Sequence, residues 1–266
     1  MNRILLRLCA VALCVGGLVL PDTATAGLKL SRDVILAPAS TEMPQYIGVY
    51  GGLAMNYHSG TFSLTDGNTV CCTFTDGDGL GFVGGVKGFF SVIENLYYSP
   101  RLALEGRGGT LNGNQYQDNI RGAFNKIEPA TFRNDFEVSL PTLNLDLLAC
   151  YVLVPDIGLY LAGGASVGYV MSTDYTQSEN IIAPTDITYA GTTSRSRVIA
   201  TASVADFNSV QIGVRFGVGA LLPLTDGIAL NPEVLYHLPM LAYADANNAT
   251  WKSSILLPTL GFLITL

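Results

Sequence analysis

The stretch that decides the fold is Trp251–Leu266, WKSSILLPTLGFLITL. Leu256, Pro258, Leu260, Phe262, Ile264 and Leu266 fall on one face of an extended chain, and that face is wholly apolar. Leu257, Thr259, Gly261, Leu263 and Thr265 fall on the other, which is small, mixed and partly polar. A period of two with this composition is that of a β-strand. An apolar strand with an unpaired edge invites aggregation. Pairing that edge with the first strand of the same chain closes a barrel and removes it.

Working back from this stretch, the same alternation recurs seven times. The predicted strands are Tyr46–Tyr57, Leu80–Phe90, Pro100–Thr110, Phe136–Val152, Leu159–Ser172, Ser209–Leu221 and Ile228–Leu238. In the sixth, Val210, Ile212, Val214, Phe216 and Val218 oppose Gln211, Gly213, Arg215, Gly217 and Gly219. The alternation slips near Pro141, which predicts a bulge there. Eight strands, an even number, allow antiparallel closure. Three predicted connections are short and four are long: 58–79, 111–135, 173–208 and 239–250. Short turns on one side and long loops on the other is the outer-membrane pattern. Ile187–Ala190 and Val198–Val204 alternate within the third long connection, so strands are expected to run past the membrane there as an arm.

Composition agrees. The 266 residues are 49% apolar and only 13% charged, with mean hydropathy +0.36, where soluble domains are about 25% charged. Past residue 20 no run of about 18 apolar residues offers a helical span. The charges Lys87, Arg101, Glu105, Arg107, Asp146, Arg215 and Glu233 lie on the mixed faces, most of which also carry glycines, and the pure apolar faces carry none. A soluble barrel would bury these ions in an apolar core at several kcal/mol each when unpaired. A polar lumen with lipid outside avoids that cost. The fold expected is therefore all-β, an eight-stranded antiparallel transmembrane barrel of up-and-down meander type spanning 46–266.

The N-terminus reads as an export signal. Arg3 and Arg7 form a basic region, Leu13 to Leu20 lie in an apolar one, and Ala24-Thr25-Ala26 is a small-x-small cleavage site before Gly27. Residues 1–26 are thus a signal peptide cleaved after Ala26, and 27–45 a periplasmic leader. A net charge of −7 argues against nucleic acid as a partner.

Several residues invite chemistry. Arg215 and Glu233, at similar counts from the lower ends of their strands, are expected to form a mutual ion pair. Glu105 is expected among Lys87, Arg101, Arg107 and Asp146. These charges read as a polar plug, since an eight-strand lumen is only just wide enough for side chains. The alternative is an ion pathway. His58 and His237 lie near the outer rim with Asp245 nearby, yet no Ser-His-acid constellation is visible. Asp66-Gly67-Asn68 and Asp76-Gly77-Asp78-Gly79 lack the rest of a calcium-loop pattern and read as turns. Cys71 and Cys72 lie outside the membrane and Cys150 near its periplasmic side, so no bond joins them across roughly 25–30 Å of hydrocarbon. Tyr57, Phe82, Tyr169 and Tyr236 are placed at an upper aromatic belt, Phe90 and Tyr151 at a lower one.

With its cleavage site, eight strands and terminal strand, the chain resembles the small outer-membrane barrels of the OmpA-transmembrane, OmpX and opacity-protein type. Thr259, Gly261, Ile264 and Leu266 resemble the assembly signal of such proteins, read as polar-x-Gly-x-x-apolar-x-apolar. Leu266 departs from the usual aromatic final residue. The resemblance implies a monomeric outer-membrane protein whose partners are outer-membrane lipid or lipopolysaccharide, the barrel assembly machinery and a surface ligand held by the loops. No cofactor, metal or catalytic residue is expected. The function expected is structural or surface-interactive, with a narrow channel or a lipid-modifying enzyme as alternatives.

Overall fold

A computed structural model describes residues 44–66, 69–121, 127–204, 207–246 and 249–266. The signal segment 1–26 and residues 27–43 of the leader lie outside the described residues. In chain order the strands are β1 (Tyr46–Asp66), β2 (Thr69–Ile93), β3 (Leu96–Gly106), β4 (Gly109–Arg121), β5 (Ile127–Ser139), β6 (Pro141–Val154) and β7 (Leu159–Val170). They continue with β8 (Asp174–Ala183), β9 (Ser196–Ser203), β10 (Val210–Ala220), β11 (Leu222–Thr225), β12 (Ile228–Pro239), β13 (Ala244–Ala246) and β14 (Ala249–Thr265).

Eight of these, β1, β2, β3, β6, β7, β10, β12 and β14, form a closed antiparallel up-and-down barrel. The terminal strand closes it: β14 pairs with β1 from Tyr46↔Thr265 to Thr61↔Thr250, and with β12 on its other side. The apolar edge of the last strand is thereby consumed. No helix among the described residues is long and apolar enough to cross a membrane.

The wall keeps its period of two. Leu102, Leu104, Leu145, Val167, Phe216, Phe262 and Ile264 are exposed on the outside, while Lys87, Arg101, Asp146, Arg215 and Glu233 are buried inside. Phe82, Tyr169 and Tyr151, expected at the aromatic belts, are all exposed on the outer face. The interior is filled in layers. A lower cluster packs Phe89, Tyr97, Tyr160, Leu148, Cys150 and Leu263. An upper cluster gathers Phe74, Leu111, Phe136, Val170, Tyr243 and Trp251. The ions lie between them.

Among the described residues the long connections are largely strand. Segments 58–79, 111–135 and 173–208 hold the outer parts of β1 and β2, most of β4 and β5, and the whole of β8 and β9. They build a sheet above the barrel in the order β2-β4-β5-β8-β9. Asp76–Gly79, expected as a turn, is strand within β2. The polar run Asn112–Asn119 shows no alternation, yet it is strand because β5 offers it a ladder, Leu111↔Phe136 through Arg121↔Ile127, shifted once between Asn112 and Gln115. The slip near Pro141 is a break in the strand at Leu140. Ile187 and Tyr189 are not strand; they fold onto Ala130, Phe132 and Ile181 and close a small upper core.

Candidate functional site

The candidate site is the ion-paired layer of the lumen. All seven charged residues singled out in the sequence point inward and are buried, none more than 3% exposed. They form two clusters. In the lower one Arg101 forks onto Glu233, Nη1 to Oε2 at 2.5 Å and Nη2 to Oε1 at 2.8 Å. Lys87 Nζ stands 3.4 Å from Glu233 Oε2 and donates to Asn231 Oδ1. Tyr160 donates to Glu233 Oε1 at 2.9 Å and accepts from Asn231 at 2.9 Å. The Lys87 ammonium also lies 4.8 Å from the centre of the Tyr50 ring. In the upper cluster Arg215 reaches Glu105 at 2.6 Å and Asp146 at 2.7 Å. Arg107 completes it, donating to Glu105 at 2.8 Å and to Asn144 at 2.7 Å.

The expected Arg215–Glu233 pair does not form. Arg215 faces His237 across the β10–β12 ladder, whereas Glu233 faces Gly219, two inward positions lower. Tilted strands in a barrel are staggered by its shear, so equal counts from the strand ends are not equal heights. Glu105 is likewise paired with Arg107 and Arg215, not with Lys87 or Arg101, which serve Glu233. The charged forks are bidentate or shared, the arrangement that satisfies buried guanidinium and carboxylate groups best. Asn144, Ser166, Asn231 and Tyr160 were not singled out from sequence. Their signal was present, because each lies on the inward, mixed face of the alternation.

The terminal-strand residues divide as the pleat requires. Thr259 and Gly261 face inward, and Ile264 and Leu266 face outward and are exposed. Gly261 has a local reason: a Cβ there would come within 2.8 Å of Lys87 Cε and 3.1 Å of Nζ. The absence of a side chain makes room for the ammonium inside a narrow lumen. His58 and His237 are both buried, and His58 accepts a hydrogen bond from Trp251 Nε1 at 3.2 Å. The Asp245 side chain lies outside the described residues, as does that of Cys71. Cys72 receives Gln177 Nε2 at 3.1 Å, and Cys150 is buried in the lower cluster. Among the described residues no group of three His, Cys, Asp or Glu side chains could hold a metal ion.

Above the membrane a second polar cluster binds the arm together. Glu179 accepts from Tyr116, from Tyr189 at 2.7 Å and from Arg197 at 2.7 Å. Arg197 also lies 4.8 Å over the Tyr189 ring. Burial raises the Glu179 pKa, but the two phenol hydrogen bonds and the Arg197 charge outweigh it, and the net shift is downward. Nothing in the sequence marked these four residues, which come from β4, β8, β9 and the connection between the last two.

An apolar outer wall around an ion-paired lumen, closed by its last strand, defines a small eight-stranded transmembrane β-barrel, and the chain is one. No protein-family profile matches it, and no curated protein matches it by sequence. Among solved structures it is similar to the attachment invasion locus protein Ail of Yersinia pestis, at 11% identity over 84% of this chain and 100% of that one, TM-score 0.34. It is similar to the outer membrane protease OmpT of Escherichia coli, at 9% identity over 87% of this chain and 100% of that one, TM-score 0.35. Neisserial surface protein A is also similar, at 12% identity over 82% of this chain and 97% of that one, TM-score 0.30.

Proposed function

We propose that this barrel is a structural, surface-interacting protein of the outer membrane, monomeric, with its interactions carried by the sheet above the membrane. The observation that carries this reading is the end of that sheet. Among the described pairings β9 is hydrogen-bonded to β8 alone, and Val198 and Ile199 on it are 63% and 49% exposed. Large apolar side chains on a free strand edge, outside the lipid, are a place for another molecule to bind. Residues 1–26 act in this reading as the cleaved signal and 27–45 as a periplasmic leader. Thr259, Gly261, Ile264 and Leu266 serve as the assembly signal, and lipid or lipopolysaccharide surrounds the wall.

The channel reading is disfavoured by the lumen. Side chains of Lys87, Glu233 and Glu105 have no accessible surface at all, so no water-sized space adjoins them. Two experiments separate the readings. Deleting Tyr175–Ser203 leaves a barrel that still shifts in gel mobility on heating, but removes binding of whole cells to host or abiotic surfaces; Ile199→Lys weakens that binding with the arm intact. Undiminished binding by both variants overturns the surface reading. Steady single-channel conductance of the wild-type protein in planar bilayers, altered by Glu233→Gln, would put the channel in its place.

A further inference from the structure

The two aromatic layers that close the lumen are built differently. The lower layer uses Phe89, Tyr97 and Tyr160, all on barrel strands fixed in register, and Tyr160 is tied to Glu233 and Asn231. The upper layer is assembled from the arm and from connections. Phe136 comes from β5, Phe207 from the segment after β9, and Tyr243 from the segment before β13. These two segments flank the one side of the outer sheet where the described strands make no ladder, between β9 and β13.

Trp251 is the hub of this upper layer and the single tryptophan of the chain. It is 1% exposed. Ring centroids of Tyr243, Phe207 and Phe136 lie 5.2, 5.9 and 6.3 Å from its own, and Phe207 stacks on Tyr243 at 5.2 Å. Its indole N–H donates to Nδ1 of His58 at 3.2 Å. An indole nitrogen only donates, so His58 Nδ1 must carry the lone pair. The imidazole is seated against Gly109, where a Cβ would come within 2.7 Å of it. The bond therefore ties β14 to β1, with the start of β4 packed against the same imidazole.

Directly beneath lie polar atoms that the closed state leaves without partners. Asn56 Oδ1 and His237 Nδ1 are buried and unbonded. Both residues face Ile255, on β1 and β12 respectively. Buried polar atoms are normally hydrogen-bonded, and two unbonded ones facing the same residue make a place suited to water or another small polar partner.

We propose that the upper layer is a cap latched by the Trp251–His58 hydrogen bond. Release of that bond opens a polar vestibule from the cell exterior down to the Arg107–Glu105–Arg215 cluster, while the lower layer stays closed. The cap admits small polar solutes to the charge layer without making a through-channel.

The test uses the native reporter. Acrylamide quenching of Trp251 is measured on the folded full-length barrel in lipid vesicles, each variant checked by heat-modifiable mobility. His58→Phe keeps a ring but no acceptor, and raises the quenching constant several-fold over wild type. His58→Asn places an acceptor near Nδ1 and stays close to wild type. Phe207→Ala removes cap area with the latch intact and also raises quenching. Unchanged quenching in folded His58→Phe, or in His58→Leu where that variant does not fold, overturns the latch. An equal rise in His58→Asn shows ring shape rather than the hydrogen bond at work and overturns it too. Unchanged quenching in Phe207→Ala, or wild-type quenching as strong as for free tryptophan, overturns the cap.

Discussion

At the residue scale the lumen is governed by which ion meets which. Arg101, Lys87 and Glu233 form one cluster and Arg215, Arg107, Glu105 and Asp146 another. Removing one partner of a buried pair strands the other, at about 3–5 kcal/mol. Glu233→Ala is expected to destabilise the barrel by that amount in urea unfolding from lipid vesicles. The separation of the clusters is testable in the same assay. A cycle of Arg101→Ala with Glu233→Ala should show strong coupling, whereas Arg215→Ala with Glu233→Ala should add within about 0.5 kcal/mol. Strong coupling in the second cycle would mean that the pairing follows residue count after all. Which residues face inward was legible from the period of two. Their partners were not, because a side chain reaching across the lumen meets whatever the shear has brought to its height.

At the element scale the arm is held by Glu179 on β8, joined to Tyr116 on β4, Arg197 on β9 and Tyr189 on the connection between β8 and β9. Because its folded pKa is lowered, the carboxylate's contribution is present above its unfolded pKa and is lost as pH falls through the folded one. Hydrogen exchange of β8 and β9 should therefore quicken as pH drops below the carboxylate range, after correction for intrinsic rates. Glu179→Gln should already exchange faster at neutral pH and lose most of the pH dependence. An arm that is equally protected at pH 3 and pH 7 contradicts this role. The arm was only half legible. Val198 alternates with its neighbours and reads as strand, but Asn112–Asn119 does not. Its polar residues become strand because extending a ladder already nucleated in the membrane satisfies backbone groups at low cost.

At the scale of the whole molecule the solvent is inverted: apolar outside, ionic inside. An arginine near the bilayer midplane on the lipid face costs about 2–4 kcal/mol. Leu145, exposed between Leu102 and Val167, is such a position. Leu145→Arg should lower the folding free energy into vesicles by that amount, and Leu145→Phe should leave it nearly unchanged. Equal stability of the arginine variant would mean that this face does not meet hydrocarbon.

The sequence by itself determined the faces of every barrel strand, their even number and the closing role of Trp251–Leu266. Alternation is a local property, and a low-charge chain with apolar single faces has one economical solution in a membrane. Only the tertiary structure decided that Glu233 belongs to Arg101, that polar segments extend the sheet, and that the terminal strand carries the hub of the upper aromatic layer. Those outcomes depend on stagger between strands and on segments distant in sequence meeting in the lumen, and neither is encoded in any one stretch. The closing strand therefore has two functions separated by height: Leu256 to Leu266 seal the wall, and Trp251 sits in the mouth.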